Sequence, residues 1–189
     1  NHISHEERSE LQRFARATSF LLALNVMAFY YYGLRAVIVT LISVGVSLLT
    51  EYICCQIVKK RFRLVDTSPI MSGMILALLM PASVPYKVVI FAAVFMIAVC
   101  KFAFGGNNNL IFSPAAVAYA FCALTWPNSV LRYPVPVPFG SLPLSAEVPD
   151  VMVRSFTHNV DVSLSSASYL DIIWGKLAGP MGTSCVLII

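Results

Sequence analysis

The sequence predicts an all-α integral membrane protein with about five transmembrane or half-spanning helices, the first half of an inverted repeat. Of its 189 residues, 58% are apolar and only 12% charged, and the mean hydropathy is +0.78. These values lie outside the range of water-soluble domains. Five apolar stretches can be marked, at about 17–33, 34–58, 68–81, 84–104 and 110–126. A bilayer core about 30 Å thick takes roughly 20 apolar residues per helical crossing, so crossings use up most of the chain.

Residues 1–16 carry both charge signs and form a polar, cytoplasmic lead-in to a transmembrane half-bundle over 17–126. They lack the positive start and small-residue cleavage site of a signal peptide. The first apolar stretch ends in Phe29, Tyr30, Tyr31 and Tyr32, a cluster suited to the headgroup level. Only Gly33 separates it from the second stretch, so the two must pack antiparallel. The second closes on Lys59, Lys60, Arg61 and Arg63; with Arg13 and Arg16 these put the short-loop positive charge on one side. By the positive-inside rule that side is cytoplasmic, placing the N-terminus inside a multi-pass inner or plasma membrane protein. The net charge of +4 is explained by these helix ends, so no nucleic acid is expected as a partner.

The third stretch offers Asp66, Thr67 and Ser68 as N-cap candidates and Pro69 as the first helical residue. Only about a dozen apolar residues then precede Pro81, which at ~1.5 Å each is too short for a comfortable crossing. Short segments interrupted by Pro or Gly point to half-helices, tolerated where protein or a polar cavity covers their backbone. Pro81 to Pro85 make a turn, and the fourth stretch runs back toward Lys101. There the chain becomes polar, with Gly105, Gly106, Asn107, Asn108 and Asn109 ahead of Ser113-Pro114. Such a stretch reads either as an ordinary capped loop or as an ordered polar cap whose free N–H groups hold an anion or the polar edge of a cofactor.

Residues 127–170 form the long polar loop, with Arg132 and Arg154 as its only arginines or lysines. Five crossings from an inside N-terminus put this loop outside; if the third stretch only dips and returns, it falls inside. Residues 171–189 read as the start of the next helical repeat, because Thr183-Ser184 precedes an apolar run as Thr67-Ser68 does. The five cysteines (Cys54, Cys55, Cys100, Cys122 and Cys185) lie in or beside apolar stretches without C-x-x-C spacing, so they read as small core residues, with no metal site.

Glu51 is the exceptional charge. It sits roughly 12 Å inside the helix end marked by Lys59, at ~1.5 Å per residue. A carboxylate at that depth either faces the bundle interior, where it binds a coupling cation or relays a proton, or reaches the interface beside Tyr52 and Gln56 through helix tilt.

Several of these stretches together resemble the RnfD/NqrB family: the RnfD component of the Rnf ferredoxin:NAD oxidoreductase complex and its relative, the NqrB component of the sodium-pumping NADH:quinone reductase. Asp66 through Pro81, with Gly73 inside, is similar to that family's aspartate-led apolar run ending in Leu-x-Leu-Pro. Lys101, Phe104, Gly105, Gly106, Pro114 and Ala115 match its K-x-x-F-G-G and Pro-Ala block, and Glu51-Tyr52 with Lys59-Lys60 match its second helix end. Ser113 and Leu110 stand where the family has asparagine, and Asn108 where it has glycine.

The resemblance implies a fragment covering the first half of a longer subunit. It also implies an FMN esterified through its phosphate to a loop hydroxyl, with room for a second, non-covalent flavin such as riboflavin. Ser168 takes the acceptor place, with Ala167 before it and Ser165 at the preceding hydroxyl position. Val162 stands where the family has aspartate, Asp161 being one place early, and Tyr169 where it has proline. Gly105, Gly106 and Asn107 are the further candidate cofactor contacts, and Glu51 the candidate on an ion pathway. No residue is assigned a catalytic role, because such a subunit passes electrons between partners and catalyses nothing alone. The implied partners are the other subunits of the complex, a flavin transferase and the lipid bilayer. The competing readings are a solute channel of the urea-transporter type and a scaffold subunit without flavin.

Overall fold

The computed structural model describes residues 5–58, 68–103, 113–134, 142–145, 153–155 and 179–183. Helix α1 covers His5–Tyr32, so helical structure begins within the stretch read as a polar lead-in. Gly33 breaks it with φ 68° and ψ −155°, a combination open essentially only to glycine. Helix α2, Leu34–Ile57, follows at once. The Thr40 hydroxyl donates to Asn25 Oδ1 across 2.8 Å, about two turns from Gly33 on either side. The pair is therefore the antiparallel hairpin that a one-residue connection requires.

Helix α3 spans Ser68–Leu79 and starts one residue ahead of Pro69; Asp66 and Thr67 lie outside the described residues. It lies against the middle of α2, where the Ser43 hydroxyl donates to the Gly73 carbonyl at 2.8 Å. A Cβ on Gly73 would stand 3.0 Å from Val44 Cα and 3.1 Å from Ser47 Oγ. Glycine is what lets the two backbones approach this closely. The chain turns through Met80–Pro85 into α4, Tyr86–Phe95, whose continuation Met96–Ala103 is a π-helix.

Helix α5, Pro114–Thr125, begins where Ser113-Pro114 predicted. Ser113 is extended at the N-cap, and its side chain makes no capping bond. Beyond it a short helix α6, Pro127–Val130, leads into strand β1, Arg132–Pro134. This strand pairs antiparallel with β2, Val153–Ser155, with Tyr133 opposite Arg154. The small sheet is the one departure from an all-helical chain among the described residues, and it lies in the segment read as loop. A 3-10 turn, Met181–Thr183, closes the described part.

One end of the bundle collects the Gly33 turn, the α3–α4 turn and the segments after α5. Ser83 Oγ donates to the Arg132 carbonyl at 2.7 Å, the Tyr32 hydroxyl to Gly179 at 3.3 Å, and Met181 N–H to Met80 at 3.3 Å. The loop and the α1–α2 turn thus share an end however α3 is counted. Helix α2 packs against α1, α3, α4 and the π-helix. Its buried residues include Ser43, Ser47, Thr50 and Glu51, while Leu41, Leu49, Ile53 and Ile57 are exposed. That is the reverse of a water-soluble helix and is stable where an apolar solvent covers the outer face. Among the described residues Leu34–Ile57 alone is long and apolar enough to cross a membrane; Ala17–Tyr32, Ser68–Leu79 and Pro114–Thr125 are shorter apolar helices.

Candidate ion-pair site

The side chains with the most chemistry lie toward the other end of α2. Glu51 is 5% exposed and Lys101 3%, and Lys101 Nζ donates to Glu51 Oε1 at 2.7 Å. Burying either charge alone costs several kcal/mol, so each makes the other's position tenable. Lys101 sits in the last turn of the π-helix. A wider turn there changes the side-chain phase relative to a continued α-helix, and such insertions recur at functional sites.

The second carboxylate oxygen, Glu51 Oε2, and the hydroxyl of Ser47 have no hydrogen-bond partner among the described residues. Ser47 and Glu51 stand one turn apart on the buried face of α2. An apolar interior rarely leaves two such acceptors unserved without a role or a water for them. The arrangement offers one neutralised charge pair and two oxygens free to take a proton, a water or a cation.

Glu51 therefore faces the bundle interior rather than the interface beside Tyr52 and Gln56. Gly105, Gly106 and Asn107 fall outside the described residues, as do Ser165, Ala167 and Ser168. Sequence reasoning missed Lys101 as the partner, although two opposite charges each set inside an apolar stretch are a readable signal. It also missed Arg35 as a buried cation at the opposite end of α2. Among the described residues there is no group of His, Cys, Asp or Glu suited to a metal. Cys55, Cys100 and Cys122 are buried, as expected of core residues, whereas Cys54 is only half-buried; Cys185 lies outside the described residues.

The family model for NQR2, RnfD and RnfE matches residues 2–189. The chain belongs to that family. Among curated relatives, this family member is 27% identical over 117 residues to the D-type subunit of an ion-translocating oxidoreductase complex from Methanosarcina acetivorans, covering 62% of the chain and 41% of the relative. It is 34% identical over 108 residues to the D-type subunit of the Na(+)-translocating ferredoxin:NAD(+) oxidoreductase complex of Acetobacterium woodii, covering 57% and 34%. The corresponding subunit of a complex named as proton-translocating, from Clostridium ljungdahlii, is 26% identical over 108 residues, covering 57% and 33%. The matched part thus covers less than half of each of these relatives.

Proposed function

We propose that this NQR2/RnfD/RnfE-family chain is part of a membrane subunit of an Rnf-type ion-translocating electron-transport complex. In this reading the Glu51–Lys101 pair is a station on the ion path, and electrons pass through an FMN esterified to Ser168. The observation that carries the reading is the buried pair with its unserved Glu51 Oε2, set in a bundle whose outer face is apolar. A protein that only had to fold would do as well with an apolar pair there. Relatives named for sodium and for protons suit a carboxylate that can exchange its Lys101 partner for either ion.

The orientation follows from the same end-to-end order. With the N-terminus of α1 cytoplasmic, the Gly33 end and the loop segments fastened to it are extracytoplasmic, where a flavin transferase can reach a loop hydroxyl. Strand β2 before Ser168 and Gly179 after it are both tied to that end, so the chain on either side of the acceptor starts and finishes there, which fits a loop-borne cofactor. When bound, FMN supplies the capacity to accept and pass electrons, while the protein positions it and tunes its surroundings. Gly105, Gly106 and Asn107 remain candidate contacts for this flavin or for a second, non-covalent one such as riboflavin.

The test uses the whole complex in sealed vesicles with Ser168→Ala and Glu51→Gln. Ser168→Ala should lose the fluorescent flavin band on a denaturing gel, and electron transfer with it. Glu51→Gln should keep the band and lose ion uptake. A dark wild-type band would overturn the covalent flavin and favour a scaffold or solute channel; normal ion uptake in Glu51→Gln would remove Glu51 from the path.

A further inference from the structure

We propose that Arg35 is the positioning residue that fixes the extramembrane loop, and hence the flavin it carries, against the bundle. The inference rests on the flavin reading above. Arg35 stands at the first turn of α2 and is wholly buried. Its Nε donates to the Ala82 carbonyl at 2.6 Å, and Nη2 to Ser83 at 3.4 Å and Val84 at 3.2 Å. These carbonyls belong to the α3–α4 turn. Nη1 donates instead to the loop, to Pro143 at 2.9 Å and to Ser145. The guanidinium also lies 5.0 Å from the centre of the Tyr86 ring, within cation–π range, and the Tyr86 hydroxyl donates to the Leu144 carbonyl at 2.9 Å.

A buried charge needs hydrogen bonds to be tolerated at all, and a rigid fork of five N–H donors can serve two backbone segments at once. Arg35 uses that fork to join residues 82–84 to residues 143–145. The second segment leads directly into the part of the loop that continues through β2 to Ser168. Glu51 and Lys101 lie far from this joint, about 24 Å along α2 at ~1.5 Å per residue. Loss of the clamp should therefore alter the loop and its flavin without touching the ion pair.

The experiment compares wild type, Arg35→Ala, Arg35→Lys and Tyr86→Phe in the assembled complex. Four quantities are read: the covalent flavin band, trypsin cleavage at Arg154, the flavin midpoint potential, and the rate of flavin reduction by the partner subunits. All four proteins should show the band. Arg35→Ala should be cut faster at Arg154, shift in potential, and reduce its flavin tenfold or more slowly, because misplacing a reacting group by about 1 Å can cost on the order of a hundredfold. Arg35→Lys should recover part of each change, and Tyr86→Phe should show smaller changes in the same direction.

Wild-type cleavage, potential and rate in a flavin-loaded Arg35→Ala would overturn the proposal while leaving the flavin reading standing. Absence of the band in the wild type would remove the flavin reading and the proposal together. If Arg35→Ala fails to accumulate, Tyr86→Phe decides, since it removes only one hydroxyl at an exposed bond; unchanged values there would overturn the proposal.

Discussion

Glu51 on α2 and Lys101 on the π-helix form a buried ion pair, 2.7 Å apart, between elements that reach each other because α2 and α4 run parallel side by side, with Arg35 against Tyr86 at their starts. Breaking one side of such a pair strands the other charge. Glu51→Gln and Lys101→Met should each destabilise the protein by about 3–5 kcal/mol, and the double replacement should cost clearly less than the sum. Thermal unfolding of the four proteins in one detergent measures this; additive losses would show that the two charges are not coupled.

Gly73 lies where α2 and α3 come closest, with Val44 Cα 3.0 Å from the place of a Cβ. Gly73→Val should force the helices apart, cost about 1–3 kcal/mol by overpacking, and break the Ser43 bond to the Gly73 carbonyl. The measurement is the unfolding midpoint beside that of Gly45→Val, whose Cβ site has nothing within 4 Å and which should behave as wild type.

Gly33 holds φ 68° and ψ −155° in the tightest connection of the fold. Gly33→Ala should cost about 1–3 kcal/mol through backbone strain alone. Because α1 and α2 would splay, the Thr40–Asn25 contact should weaken with it. A cysteine pair replacing Asn25 and Thr40 in the two backgrounds reports this as a lower cross-linking yield in the alanine variant.

Tyr133 in β1 is buried, and burial first, then its hydrogen bond with Tyr119, raises its pKa above the ordinary value of 10.0. The folded state thus favours the neutral phenol. Its stabilising contribution is fully present below pH 10 and falls away as the pH rises through the higher folded value. Melting temperature followed from pH 8 to 11.5 should drop more steeply in wild type than in Tyr133→Phe; parallel curves would show that Tyr133 does not titrate with unfolding.

The apolar composition, the stretches bounded by Gly33, Pro81 and Ser113-Pro114, and the carboxylate of Glu51 inside an apolar stretch were legible in the sequence, because hydropathy and helix punctuation act locally. So was the family, through Lys101, Gly105, Gly106 and Pro114 in one block. Helix start points moved by a residue or more, since Ser68 and His5 extend helices whose ends propensity does not sharply define.

The sequence by itself determined that this chain builds apolar helices, where they break, and which charges have no business in them. Only the tertiary structure decided which charges meet. Lys101 reaches Glu51, and Arg35 reaches Ala82 and Pro143, across separations that no local periodicity encodes. The reason is physical: burying a charge costs so much that its partner is chosen by the whole packing of the bundle, whereas a helix is chosen by its own residues.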